Sequence, residues 1–154
     1  EDPCDVDACR ESALRLLDAA DRPSGALRDR LIDKGYDDET VAAVVDRLIE
    51  VGLVDDESYA QSAVRYCVGR LMGYRGAVME LARKGVDRPL AERVCDEARM
   101  SGVFEDAAWE LGRRSAAKTQ GMDPKVRKRR FWSSGGRKGH DAETLRAVAH
   151  ELFD

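Results

Sequence analysis

The sequence is short of the residues that catalysis and metal binding usually need. Its 154 residues include only two histidines, His140 and His150, and four cysteines, at 4, 9, 67 and 95. No two cysteines form a Cys-x-x-Cys pair, and neither histidine stands at zinc-finger spacing from them, so no metal site is expected and reduced thiols in a cytoplasmic setting are the natural reading. Cys67 and Cys95 fall where a 50-residue shift finds Leu17 and Val45, which marks them as core residues. Cys4 and Cys9 lie near the terminus, where exposure is open to them. Long apolar runs are missing too. The longest, residues 41–45, is far too short to cross a bilayer, and the acidic first residues carry none of the succession of a secretory signal. The glycines of Gly135-Gly136-Arg137-Lys138-Gly139 lack the Gly-Lys-Ser/Thr ending of a phosphate loop. Without a nucleophile, acid or base held beside a partner, the sequence points away from an enzyme and from any cofactor.

What is present is charge, unevenly placed. Residues 1–60 hold 17 acids and 7 bases, residues 61–110 hold 8 of each, and residues 111–138 hold ten bases against Asp123 alone. The formal net charge of −4 therefore hides an acidic first third and a basic stretch near the end. Because screening limits charge effects to roughly 8–10 Å, that stretch attracts phosphate whatever the overall balance.

A repeat runs beneath this pattern. Lys34-Gly35-Tyr36-Asp37, Lys84-Gly85-Val86-Asp87 and Lys138-Gly139-His140-Asp141 are three copies of one string, the first two 50 residues apart and the last two 54. In the same register Leu31 meets Leu81, Val44 meets Val94 and Tyr59 meets Trp109, and the last two pairs are read as core. The string reads as helix punctuation. Glycine supplies the left-handed residue that ends one helix, and aspartate caps the next. Val41, Val44, Val45, Leu48 and Ile49 then line one helical face, whereas strand alternation is nowhere sustained.

Each copy predicts three short helices. In the first, a helix around Cys9 to Leu17 precedes one at 27–34, with Ser24 as candidate cap, and one after Asp37. The later copies place helices at 56–71, 76–84 and 87–99, then at 105–118, 124–132 and 141–153. Asp55-Asp56-Glu57 is explained as capping rather than as a metal run, and Ser133-Ser134-Gly135-Gly136 as a flexible loop. The expected fold is all-α. An N-terminal tail (1–8) leads into three tandem helix-turn-helix-like units at 9–54, 55–102 and 103–154, the last with a basic helix at 124–132, arranged as an elongated, curved array.

Such a body suits lying along another extended object. The residues that point to a polyanion are Arg65, Arg70, Arg75, Arg83 and Lys84 in the middle unit, beside Tyr66 and Tyr74. In the last unit they are Lys125, Arg127, Lys128, Arg129, Arg130, Arg137 and Lys138, beside Phe131 and Trp132. Arginine forks grip phosphate while aromatics stack on bases or pack inside. Five bases within positions 125–130 cannot all be buried. Both histidines read as structural. A rival reading is a sequence-specific regulator that places one helix of a three-helix unit in the major groove of duplex DNA.

The strings also carry a resemblance. Arg-Leu-Ile-Asp-Lys-Gly-Tyr-Asp (30–37), Gly-Leu-Val-Asp-Asp-Glu-Ser-Tyr-Ala (52–60), Gly73-Tyr74 and Glu-Leu-Ala-Arg-Lys-Gly-Val-Asp (80–87) strongly resemble the RecX family of bacterial regulators of the RecA recombinase. The likeness covers roughly residues 9–153; Lys138-Gly139-His140 and the Ser-Ser-Gly-Gly insert depart from the family's usual Arg-Gly-Phe turn. The resemblance implies three three-helix modules without enzymatic activity, acting as a monomer in the groove of a RecA filament on single-stranded, and also double-stranded, DNA. There it would restrain ATP hydrolysis, strand exchange and RecA-stimulated proteolysis, in the setting of recombinational repair and the SOS response.

Overall fold

In the computed structural model, which describes residues 2–154, nine helices and no strand are found among the described residues. The first group is α1 (Val6–Ala19), α2 (Ser24–Asp33) and α3 (Asp38–Glu50). The second is α4 (Asp56–Gly69), α5 (Tyr74–Arg83) and α6 (Arg88–Met100). The third is α7 (Val103–Lys118), α8 (Pro124–Arg137) and α9 (Ala142–Phe153). The all-α architecture and its threefold grouping follow the expected pattern.

Local chemistry explains most of the boundaries. Asp37, Asp87 and Asp141 each accept the backbone N–H three residues on, at Thr40, Leu90 and Thr144, and so open α3, α6 and α9. Gly35, Gly85 and Gly139 hold φ of 106°, 104° and 84°, a left-handed geometry that side chains with a Cβ adopt at a cost. Three details differ from the sequence expectation. Helix α1 starts at Val6, inside the stretch read as tail, because Asp5 caps it through Ala8 N–H. Ser24 is the first helical residue rather than a cap. Helix α7 starts at Val103 after Gly102, two residues before the acids expected to open it.

The largest difference is at Ser133-Ser134-Gly135-Gly136, expected as a loop and found as the last full turn of α8. The reason is tertiary. A Cβ on Gly135 would sit 2.3 Å from Leu145 Cδ2, so the missing side chain lets α8 press against α9. That gain outweighs the roughly 1 kcal/mol that glycine costs a helix interior.

Each group buries its own core. Cys9, Ala13, Leu27, Leu31, Val41, Val44 and Val45 fill the first, Cys67, Leu81, Val94 and Cys95 are central to the second, and Phe131, Leu145 and Val148 to the third. Tyr59 and Trp109 pack against the second and third cores from partly exposed positions. Cys4 is exposed as expected, but Cys9 is fully buried, because its helix turns it inward onto α3. Burial above all, with the neighbouring Cys67 and Asp96, pushes the Cys95 thiol up to about 12, which keeps it protonated and inert.

Neighbouring groups join end to end. Gly73 donates its N–H to the Lys138 carbonyl at 2.8 Å, and a Cβ on Gly76 would stand 2.2 Å from that same oxygen. At the other junction a Cβ on Gly25 would fall 2.5 Å from the Gly85 carbonyl. Asp56 does not cap its own helix, a task taken by Asp55; its carboxylate reaches back to the N–H and hydroxyl of Ser24 at 2.6 and 2.5 Å. Packing is therefore sequential: in the second and third groups the turn after the middle helix seats on the start of the preceding group's middle helix.

Candidate nucleic-acid interface

Where the second group meets the third, three elements converge on a cleft of about 490 Å³. Helix α4 is capped by Arg70 and followed by Leu71, which is in the left-handed region at φ 62°. A leucine holds that geometry because its side chain packs on the third core and its carbonyl takes a 2.8 Å bond from His140 Nε2. The carbonyl can only accept, so Nε2 carries the proton. Burial holds His140 below the ordinary imidazole range, against the pull of the Leu71 carbonyl and Asp141. The histidine is thus a neutral junction residue.

Helical spacing supplies the charge. Arg114 and Lys118 stand one turn apart on α7, and Arg130 and Ser134 one turn apart on α8. With Arg70 and Lys138 they bring five cations to the cleft, together with the hydroxyls of Ser115, Thr119 and Ser134, and among the described residues no carboxylate lines it. Lys138 Nζ also donates to the Arg70 carbonyl at 2.8 Å, which ties the α8 turn to α4. Arg114 is paired at 2.9 Å with Glu110, whose carboxyl that arginine and Arg113 hold low. Such a surface concentrates phosphate or carboxylate groups near it.

The sequence-named basic residues divide sharply. Arg70, Arg130 and Lys138 enter the cleft. Arg127 turns inward: its Nε donates to Thr119 Oγ1 at 3.1 Å, its terminal nitrogen to the Ala116 carbonyl at 3.0 Å, and its guanidinium lies 5.4 Å from the Phe153 ring centre. Lys128 is ion-paired with Asp154. Lys125 and Arg129 are exposed on α8, and Arg137 is exposed and bonded to Ser133. Arg83 grips Glu80 through two bonds of 2.9 and 2.7 Å. Arg65 bonds Ser62 and lines a shallow groove with Val64, Val68 and Val94, while Arg75 is exposed near the start of α5.

Lys84 lies 5.6 Å from the Tyr66 ring centre, in a second cleft at the first junction. That cleft also contains Arg22, but Asp21 and Asp55 give it mixed sign. The sequence reading did not single out Arg114 and Lys118. Their signal was the four-residue spacing on one helix, matched by Arg130 and Ser134 on the next.

The comparisons agree with this architecture. The family description "RecX, first three-helix domain" matches residues 9–48. The chain is 37% identical over 147 residues to a regulatory protein RecX of Thermobifida fusca, covering 93% of this chain and 78% of that one. It belongs to the RecX family. A RecX of Mycobacterium sp. (strain JLS) is 49% identical over 77 residues, which span 48% of this chain and 41% of the relative. The crystal structure of RecX from Lactobacillus salivarius superposes with a TM-score of 0.83 at 20% identity over 96% of both chains. Another RecX crystal structure gives 0.80 at 18% identity, covering 94% of this chain and 73% of that one. These two speak for the fold, which the RecX family shares across wide sequence distance. RecX proteins are regulatory proteins by name, and a regulatory role is what membership brings to this chain.

Proposed function

We propose that this chain is a non-catalytic, monomeric, cytoplasmic regulator that lies along a RecA–DNA filament and restrains its ATP hydrolysis, strand exchange and coprotease activity. In the cell that places it in recombinational repair and the SOS response. The cleft between the second and third groups carries the reading. Five cations without a lining carboxylate suit the phosphate backbone of single-stranded or double-stranded DNA, and they set phosphate position rather than base identity. The acidic first group, with 17 acids against 7 bases in residues 1–60, would face the basic parts of the protein filament instead. Modules spanning 9–54, 55–102 and 103–154 would each touch a successive stretch of it.

The test is RecA ATPase on single-stranded DNA with increasing amounts of this chain. Rates are expected to fall as the chain co-sediments with the filament; unchanged rates with no co-sedimentation sink the reading. The cleft itself is tested by replacing Arg114, Lys118 and Arg130 together with alanine. Each lost phosphate contact should lower the slope of log affinity against log salt by about 0.7 on a single strand, so the triple variant should lose roughly 2. An unaltered slope removes the cleft from the contact.

A further inference from the structure

Helices α2 and α5 differ from most of the others in having no side-chain cap of their own. Asp5, Asp37, Asp55, Asp87, Asp123 and Asp141 cap α1, α3, α4, α6, α8 and α9. The turn that ends the next middle helix covers the starts of α2 and α5 instead, and at α2 the Asp56 carboxylate of the second group also accepts the Ser24 N–H. Pro23, Ser24 and Gly73 are buried there, and Gly25 and Gly76 let the turn's carbonyls come within reach of their backbone. The middle helices are therefore stacked α8 onto α5 onto α2, carboxyl end to amino end. Each contact sets the negative end of one helix dipole against the positive end of the next.

Among the described residues the stack has two ends that no other middle helix meets, and these two are built differently. The start of α8 is exposed and closed: Asp123 caps it through Lys125 N–H at 2.8 Å, and Lys125 and Val126 carry side chains where the other two starts have glycine. The opposite end is the turn at Lys34-Gly35-Tyr36. It is the same string that seats on a helix start in the other two groups, yet Lys34 and Gly35 are exposed, and among the described residues nothing beyond the turn's own neighbours lies within 4 Å of where a Gly35 Cβ would be. A cleft of about 360 Å³ opens beside it, lined by Asp2, Asp5, Ala8 and Tyr36 together with Lys34 and Gly35 themselves.

We infer that the Lys34-Gly35-Tyr36 turn is an open docking end that takes the amino end of a helix from a protein partner. That helix has glycine in its first turn and no aspartate or serine cap of its own. The same string is filled twice within this chain by helix starts of that kind, and the α2 carbonyls with Asp2 and Asp5, two acids against the single cation Lys34, offer net negative charge to the positive end of an incoming helix. A second copy of this chain does not qualify. Its α8 start would bring the Val126 side chain against the arriving carbonyls, at a place where even a Cβ on Gly76 would stand 2.2 Å from oxygen. Complementary ends on one molecule would otherwise generate open fibres, and the closed start of α8 prevents this.

Opening α8 in the full chain tests whether the turn accepts such a helix. Asp123→Gly with Val126→Gly follows the start of α5, and Asp123→Gly with Lys125→Gly and Val126→Ala follows that of α2, each without the aspartate cap. Sedimentation velocity should show the unaltered chain as a monomer, and at least one opened variant as head-to-tail species whose mean mass about doubles or more with concentration. Adding Gly35→Asn, which fills the turn at a residue type that tolerates left-handed backbone, should return that variant to monomer. The inference is overturned if both opened variants keep their helical circular dichroism and stay monomeric. It is also overturned if the association survives Gly35→Asn, or if the unaltered chain already associates through Gly35. None of these outcomes depends on nucleic-acid binding.

Discussion

His140 shows how one residue can serve a junction by remaining neutral. It is 5% exposed, bonded to the Leu71 carbonyl, and faced by Asp141 on one side and the Lys138 ammonium on the other. Burial depresses its folded-state pKa below the ordinary 6.5, so below that pH the unfolded chain binds more protons than the folded one. Its contribution to stability is thus complete above about pH 6.5 and shrinks as pH falls toward the depressed value. Urea unfolding of the chain and of His140→Gln should show a stability gap that is constant near neutrality and narrows on acidification from pH 6.5. A gap independent of pH would mean that the ring is solvated. Sequence reading identified His140 as structural from its place in the repeat. Its partner could not be read, because Leu71 is 69 positions away and its left-handed backbone is set by tertiary packing.

At the scale of a single helix, α8 is where sequence and structure part most. Its composition suggests a short basic segment followed by a loop; the fold extends it to Arg137 because Gly135 fits beneath Leu145 and Phe131 is wholly buried. The five bases at 125–130 read as one surface, but helical geometry divides them: Arg127 and Lys128 turn toward α7 and the chain end, and Arg130 toward the cleft. Periodicity finds which residues share a face, but not what the face meets. Arg127→Ala should accordingly cost roughly 1–3 kcal/mol of stability, since it strips bonds from the Ala116 carbonyl and Thr119 hydroxyl. Arg129→Ala, on an exposed side chain, should stay within about 0.5 kcal/mol. Paired chemical denaturation distinguishes them, and equal effects would show that Arg127 gains nothing from its inward contacts.

For the whole molecule, the threefold repeat was legible because the Lys-Gly-x-Asp string recurs at nearly constant spacing, and the Asp caps and left-handed glycines took the places it assigns. The junctions were hidden, because Gly25 and Gly76 look like ordinary residues of helix starts until a neighbouring carbonyl is seen against them. In an array of this kind stability divides into the intrinsic stability of each unit and the coupling between neighbours, and the glycine seats are where the coupling lies. Gly25→Val places a branched side chain where even a Cβ would come within 2.5 Å of the Gly85 carbonyl, and backbone there cannot move aside without lifting the turn. The first core, made wholly of residues from positions 9–54, keeps its own contacts in that variant. Urea unfolding should therefore pass from one cooperative transition in the unaltered chain to two in Gly25→Val, each with a smaller denaturant slope because each exposes only part of the surface. Hydrogen exchange should quicken first at the start of α2 and around Gly85, while the amides of Val44, Val45 and Leu48 stay protected until the first unit itself unfolds. A single transition with an undiminished slope would place the coupling elsewhere than in the seat of one helix end on the next helix start.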